Sequence, residues 1–171
     1  DDFITATGPQ EETVISALIL NDKGLERAVK CGVPHVSMSV SVSDTHSRKN
    51  AGMTHDVALE QGVRMIDQAV SAGLQVRASV QCAFGCVYEG RLSTARIAAI
   101  IRHFVDHGAH ELALADTTGL GSPPLVNEIL DVVLPLAGRL PLALHLHDTR
   151  GLGLVNLMAA LQYGVSTFDT A

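Results

Sequence analysis

The chain has 171 residues, 47% of them hydrophobic, with 18 acidic and 12 basic side chains and a formal net charge of −6. That apolar fraction supports one soluble domain with its own core and excludes disorder and collagen-like order. Only 4% of residues are aromatic, none is Trp, and Lys and Arg are scattered. With neither a phosphate-tracking stripe nor a base-stacking platform, no nucleic-acid partner is expected.

In chain order, Asp1-Asp2-Phe3-Ile4-Thr5-Ala6-Thr7-Gly8 lacks the basic start and apolar run of a signal peptide. No apolar stretch approaches the ~20 residues needed to span a bilayer. A cytoplasmic or organelle-lumen setting is expected, with no membrane partner. Apolar β-branched runs then predict strands at Val14–Leu20, His35–Ser43, Gln75–Ala83, Glu111–Ala115, Pro141–His147 and Thr167–Thr170. Four helix-like segments end at Gly32, Gly73, Gly108 and Gly164, just before a new strand. Caps place helices at 22–31 after Asn21, 55–72 after Thr54, 94–107 after Ser93 and 125–137 after Ser122 with Pro123 and Pro124; a last one covers 154–163.

Strict strand–helix alternation predicts an α/β fold with a parallel sheet. Asp116-Thr117-Thr118-Gly119-Leu120-Gly121 recurs as Asp148-Thr149-Arg150-Gly151-Leu152-Gly153, each copy at a strand's C-terminal end and followed by a helix containing Leu-Val-Asn. A period of about 30 residues is the βα unit of a (β/α)8 TIM barrel. About six units are present, so the expected architecture is an incomplete barrel, two units short. An open doubly wound sheet competes, but no G-x-G-x-x-G follows any strand.

Three cysteines, Cys31, Cys82 and Cys86, match neither a disulfide framework nor paired zinc spacing, and read as small buried apolar residues in a reducing compartment. In Leu142-Ala143-Leu144-His145-Leu146-His147, strand period 2 puts the leucines on one face and His145 and His147 on the other. Imidazoles so placed either share one cation or sit buried on backbone hydrogen bonds. With oxygen ligands completing the shell, Mg²⁺ or Mn²⁺ suits the pair, and Zn²⁺ or Fe²⁺ remains open.

Parity groups Asp116 with Leu112 and Leu114, so it reaches the site only if the chain has already turned; otherwise it is a turn residue satisfying its own loop. Cys82 to Gly90 leaves a strand end without an adjacent cation to activate a thiol. Ser43 to Asn50 offers a polar rim in which Arg48 and Lys49 either meet an anionic tail or form a solvated loop.

Together these strand-end motifs resemble the 3-hydroxy-3-methylglutaryl-CoA lyase family, within the wider metal-dependent lyase and Claisen-synthase barrels. The resemblance runs from about residue 14: Asn21 with Lys23-Gly24, Ser43–Asn50, Cys-x-x-Gly-Cys-x-Tyr-Glu-Gly at 82–90, Asp116-Thr117-x-Gly119 and His145-x-His147-Asp148-Thr149-x-Gly151. The 82–90 stretch favours the lyase branch, whereas His46 echoes the synthases. Val87 stands where the family usually has Pro, and Ala115 where it has Gly. The family's Arg-Asp-Gly aspartate, Gly-Asn asparagine and glycine-loop cysteine are not in this sequence.

The resemblance implies a divalent cation held by His145 and His147, with His145 as acid/base and Asp116 as supporting carboxylate. It also implies substrate contacts from Ser43, Arg48, Lys49, Asn50, Cys82, Thr117 and Thr149. The implied reaction cleaves a 3-hydroxyacyl-CoA to acetyl-CoA and acetoacetate. Its alternatives are a Claisen condensation of acetyl-CoA with a 2-oxo acid and a non-catalytic partial barrel. The expected partner is an acyl-CoA, in a homo-oligomer, in the cytoplasm or the mitochondrial matrix of a eukaryote.

Overall fold

A computed structural model describes residues 13–169; Asp1–Gly8 and Thr170, both read above, lie outside the described residues. Six strands, β1 (Ser16–Leu18), β2 (His35–Ser41), β3 (Gln75–Gln81), β4 (Glu111–Ala115), β5 (Leu142–His145) and β6 (Thr167–Asp169), form one sheet. They are parallel and neighbour one another in sequence order. The helices are α1 (Asp22–Lys30), α2 (Asp44–Ala51), α3 (His55–Ser71), α4 (Thr94–Asp106), α5 (Pro123–Ala137) and α6 (Gly153–Gln162). This is the wall of a (β/α)8 barrel, incomplete at six strands, as the alternation predicts.

One parity rule organises the wall. Even-numbered residues Val36, Met38, Val40, Val76, Ala78, Val80, Leu112, Leu114 and Leu144 are buried at 0–1% exposure and face the helices. From β2 to β6 odd-numbered residues face the barrel axis, and the parallel register keeps the parity: Ser41 pairs with Gln81, Ala115 with His145, and His145 with Asp169. At β1 the numbering shifts by one, Ser16 pairing with His35. Slipping β2 by one residue would exchange Val36, Met38 and Val40 for Ser37, Ser39 and Ser41. Each large apolar side chain so exposed costs about 1.5–3 kcal/mol, which is why the register is specified by the helix layer. Ile66, Ile97, Ile100, Ile101, Phe104, Ile129 and Leu130 complete that layer at 0–1% exposure. Helix α3 lies so close to β2 that a Cβ on Gly62 would stand 2.9 Å from a Val40 methyl and 2.6 Å from that of Met38.

The caps behave as their chemistry dictates. Asn21 Oδ1 accepts from Gly24 N–H at 3.0 Å and Thr54 Oγ1 from Val57 N–H at 3.2 Å. Ser93 and Ser122 occupy their cap positions without a side-chain bond, and the prolines at the start of α5 supply a preset φ there instead. One expectation is corrected: residues 44–51, read as a rim or loop, form helix α2. Ser43 caps it by accepting from His46 N–H at 3.0 Å, and Gly52 ends it in the left-handed region at φ 72°. No apolar stripe marks this helix, because only Ser47 of its residues is buried. Strand β5 ends at His145, two residues short of expectation, so His147 lies just beyond the ladder.

Candidate active site

The strands' C-terminal ends surround a cavity of about 760 Å³ whose polar walls include Ser41, Ser47, Asn50, Thr117, His145 and His147. His145 is the last residue of β5, and the short extension to His147 keeps both rings on the axis side. Their Nε2 atoms are 3.2 Å apart and the rings are perpendicular, at 86° with centroids 4.8 Å apart. On its other side His145 Nδ1 faces Asp169 Oδ2 at 3.1 Å. An ionised carboxylate only accepts, so Nδ1 carries the ring proton and Nε2 turns a lone pair toward His147. Among the described residues no three His, Cys, Asp or Glu side chains are grouped to hold a metal ion. Asp169 is not a third ligand because it sits behind the His145 ring.

The geometry of the imidazole pair suits a cation. Two nitrogens each about 2.1 Å from one ion and roughly 100° apart around it are separated by about 3.2 Å. The observed Nε2 separation therefore needs little adjustment to accept one.

Asp116 is fully buried and turned into its own loop, the second of the two arrangements open from sequence. Its Oδ1 accepts from Leu120 N–H at 2.8 Å and Gly121 N–H at 3.1 Å, and Oδ2 lies 3.1 Å from the latter. Burial raises its pKa above the ordinary carboxylate value, partly offset by those backbone donors and by His147 and Arg150. Asp148 repeats the device, Oδ1 accepting from Gly153 N–H at 2.7 Å. The internal echo is thus a structural repeat in which an aspartate accepts from the backbone N–H five residues on, that of Gly121 just before the α5 cap and that of Gly153 at the first residue of α6. The two loops also meet: Arg150 donates to Gly119 C=O at 2.8 Å, and a Cβ on Gly119 would fall 2.4 Å from Thr149 Oγ1.

The other expected substrate contacts divide. Asn50 and Thr117 line the cavity. Ser43 is buried as the α2 cap, and Thr149 is exposed on its loop. Arg48 and Lys49 project from the outside of α2, Arg48 pairing with Asp44 at 2.7 Å and Lys49 Nζ lying 4.7 Å from the Tyr88 ring centroid. His46 is half-buried, Nδ1 being 3.1 Å from Ser41 Oγ, and burial lowers its pKa.

Cys82 and Cys86 are buried as expected, and Cys31 is half-buried. Cys82 adopts φ 57°, in the left-handed region, and its N–H donates to Thr117 Oγ1 at 2.8 Å. Burial pushes its thiol up to about 11. Iodoacetamide at mildly alkaline pH is accordingly expected to leave Cys82 unmodified in the folded chain and to alkylate it after unfolding. Peptide mass mapping reads both states. The unfolded thiol loses its proton first, so this group's contribution to stability falls as pH rises from 9 toward 11.

Sequence reasoning missed Asp169 and Arg77. Asp169 lies on the predicted last strand with the parity of the axis-facing residues, and pairing that strand in register with His145 was the available signal.

The family model described as HMGL-like matches residues 3–171. The chain is 38% identical over 151 residues to the mitochondrial hydroxymethylglutaryl-CoA lyase of Mus musculus, covering 88% of this chain and 46% of that protein. To the hydroxymethylglutaryl-CoA lyase of Bacillus subtilis it is 34% identical, covering 90% of this chain and 52% of that one. A solved HMG-CoA lyase from Acinetobacter baumannii, in complex with coenzyme A and 3-methylmalate, superposes with a TM-score of 0.92 at 34% identity, covering 99% of this chain and 55% of that one. The chain spans about half the length of the curated relatives it matches. Strand-end motifs, barrel wall and sequence similarity agree: the chain belongs to the HMGL-like family.

Proposed function

We propose that this chain supplies the HxH wall of a divalent-metal-dependent carbon–carbon lyase acting on a 3-hydroxyacyl-CoA. The reaction is that of its relatives' name, 3-hydroxy-3-methylglutaryl-CoA to acetyl-CoA and acetoacetate. The observation that carries this reading is the pair of Nε2 atoms 3.2 Å apart at the mouth of the barrel. His145 and His147 would hold Mg²⁺ or Mn²⁺, which when bound stabilises developing oxyanion charge by several kcal/mol.

In that cleavage the tertiary hydroxyl loses its proton, the C2–C3 bond breaks, C3 becomes the ketone of acetoacetate, and C2 takes up a proton to become the acetyl methyl group. Asn50 and Thr117 would orient the acyl portion from the cavity wall. Asp116 would act at one remove, by holding the loop that carries Thr117. His145 can serve as ligand or proton carrier through a given nitrogen, not as both at once. With Nε2 toward the cation and Nδ1 on Asp169, its acid/base role requires one of those contacts to open. Ser43 and Cys82 would act as supports behind Asn50 and Thr117, and Thr149 as part of the facing loop. Arg48 and Lys49 supply positive charge outside the cavity for the polyanionic CoA.

Acetoacetate formation from the thioester should require Mn²⁺ or Mg²⁺ and stop on exhaustive chelation. Activity surviving chelation overturns the metal reading. Thiol release from acetyl-CoA with a panel of 2-oxo acids, in place of cleavage, would give the condensation reading instead.

A further inference from the structure

The axis-facing side of the wall carries an ionic chain that the proposed chemistry does not use. Arg77, on β3, reaches across the interior to place Nη2 2.8 Å from Asp169 Oδ1, while its Nε lies 3.5 Å from Glu111 Oε1. Glu111 Oε2 is in turn 3.9 Å from His35 Nε2, and His35 Nδ1 lies 2.6 Å from Ser16 Oγ. The Arg77 side chain is only 18% exposed, so its contacts are little screened. Asp169 therefore spends one oxygen on Arg77 and turns the other to His145 Nδ1.

We infer that Arg77 is a positioning residue: by holding Asp169 through Oδ1, it forces Oδ2 onto His145 and so selects the ring tautomer whose Nε2 lone pair opens toward the cavity. This rests on the proposed metal role of His145 for its purpose, though not for its test. The guanidinium has only donors to offer, so whatever occupies position 169 must present it an acceptor. A carboxylate then still has an acceptor for Nδ1–H. A carboxamide does not: with its oxygen taken by Arg77, its NH₂ faces Nδ1, and the ring proton moves to Nε2. Free to rotate, the same carboxamide can turn its oxygen to His145. Arg77 thus sets the orientation of residue 169, which keeps Oδ2 on Nδ1 in the native carboxylate and decides the tautomer outright when a carboxamide stands there.

The test is the tautomer of His145 in the metal-free full chain at mildly alkaline pH, read by long-range ¹H–¹⁵N correlation of the imidazole, with the backbone amide spectrum as control for folding. Asp169→Asn should invert the ring from Nδ1–H to Nε2–H and weaken Mn²⁺ binding about 10- to 100-fold, the usual effect of losing a ligand's carboxylate partner. Adding Arg77→Met to Asp169→Asn should return the ring toward Nδ1–H and recover part of the affinity. An uninverted ring in Asp169→Asn, or a double variant as inverted as the single one, overturns the inference. If Asp169→Asn does not fold, Arg77→Lys against Arg77→Met decides. The lysine retains a donor to Asp169 and should keep Nδ1–H protected from exchange, the methionine should lose that protection, and equal protection overturns the inference. Tautomer changes as described with no Mn²⁺ binding in the parent chain would sink the metal reading and leave this one standing.

Discussion

Replacing His145 and His147 together by alanine is expected to abolish the heat of Mn²⁺ binding in isothermal titration, while the folded chain's melting temperature changes little. The two Nε2 atoms are the only ring nitrogens of the pair that converge. Neither ring lies in the helix-facing core, since His147 is exposed and His145 half-exposed. Each single substitution should weaken binding by at least the 10- to 100-fold that loss of a merely outer partner causes. Unchanged affinity in the double variant would remove the basis of the proposed function.

Asp116→Ala should produce the largest loss of stability from a single substitution in the strand-end loops. It strips the acceptor from Leu120 N–H and from the buried Gly121 N–H. At about 1–3 kcal/mol for the buried Gly121 amide and about 1 kcal/mol for the half-buried Leu120 amide, the cost is about 2–4 kcal/mol. For a chain of this length that lowers the melting temperature by roughly 5–15 °C, measurable by calorimetry. Asp116→Asn keeps an acceptor and should lose far less. It should also alter the pH dependence with a definite sign. Burial raises the Asp116 pKa, so just above the ordinary carboxylate value the folded chain holds this proton more tightly than the unfolded one. This group's contribution to stability therefore falls as pH rises through that window, and the asparagine removes the slope. An alanine variant as stable as the parent would show that the loop amides find other partners.

The sheet and most helices were legible because their signals are local. Alternation in Val36 to Ser41 and Leu142 to His145 specifies which face is buried, and Asn21 and Thr54 mark helix starts that the hydrogen bonds bear out. Helix α2 was not legible, since a short polar segment with one buried residue has no apolar period to read. The His145/His147 juxtaposition follows from strand parity, carried two residues past the end of β5. What parity cannot supply is partnership across the barrel: Arg77 and Asp169 are 92 positions apart in sequence, and only the curvature of the sheet brings them together. Asp116 shows the converse, where both of its arrangements were readable and the choice lay in whether buried loop amides had any other acceptor.

The contact between the two clasped loops has one more consequence. Gly119 has no room for a methyl group because Thr149 occupies that space, and Arg150 holds the carbonyl of the same glycine. These repeats, 32 positions apart by the numbers of Asp116 and Asp148, cannot drift independently: Gly119 is held at φ 66°, where any side chain is strained, and bulk at 119 would in addition have to be surrendered at 149. Descendants of this gene should inherit the two positions as a matched set, and a swap of one loop from a distant homologue should be tolerated only when its neighbour travels with it.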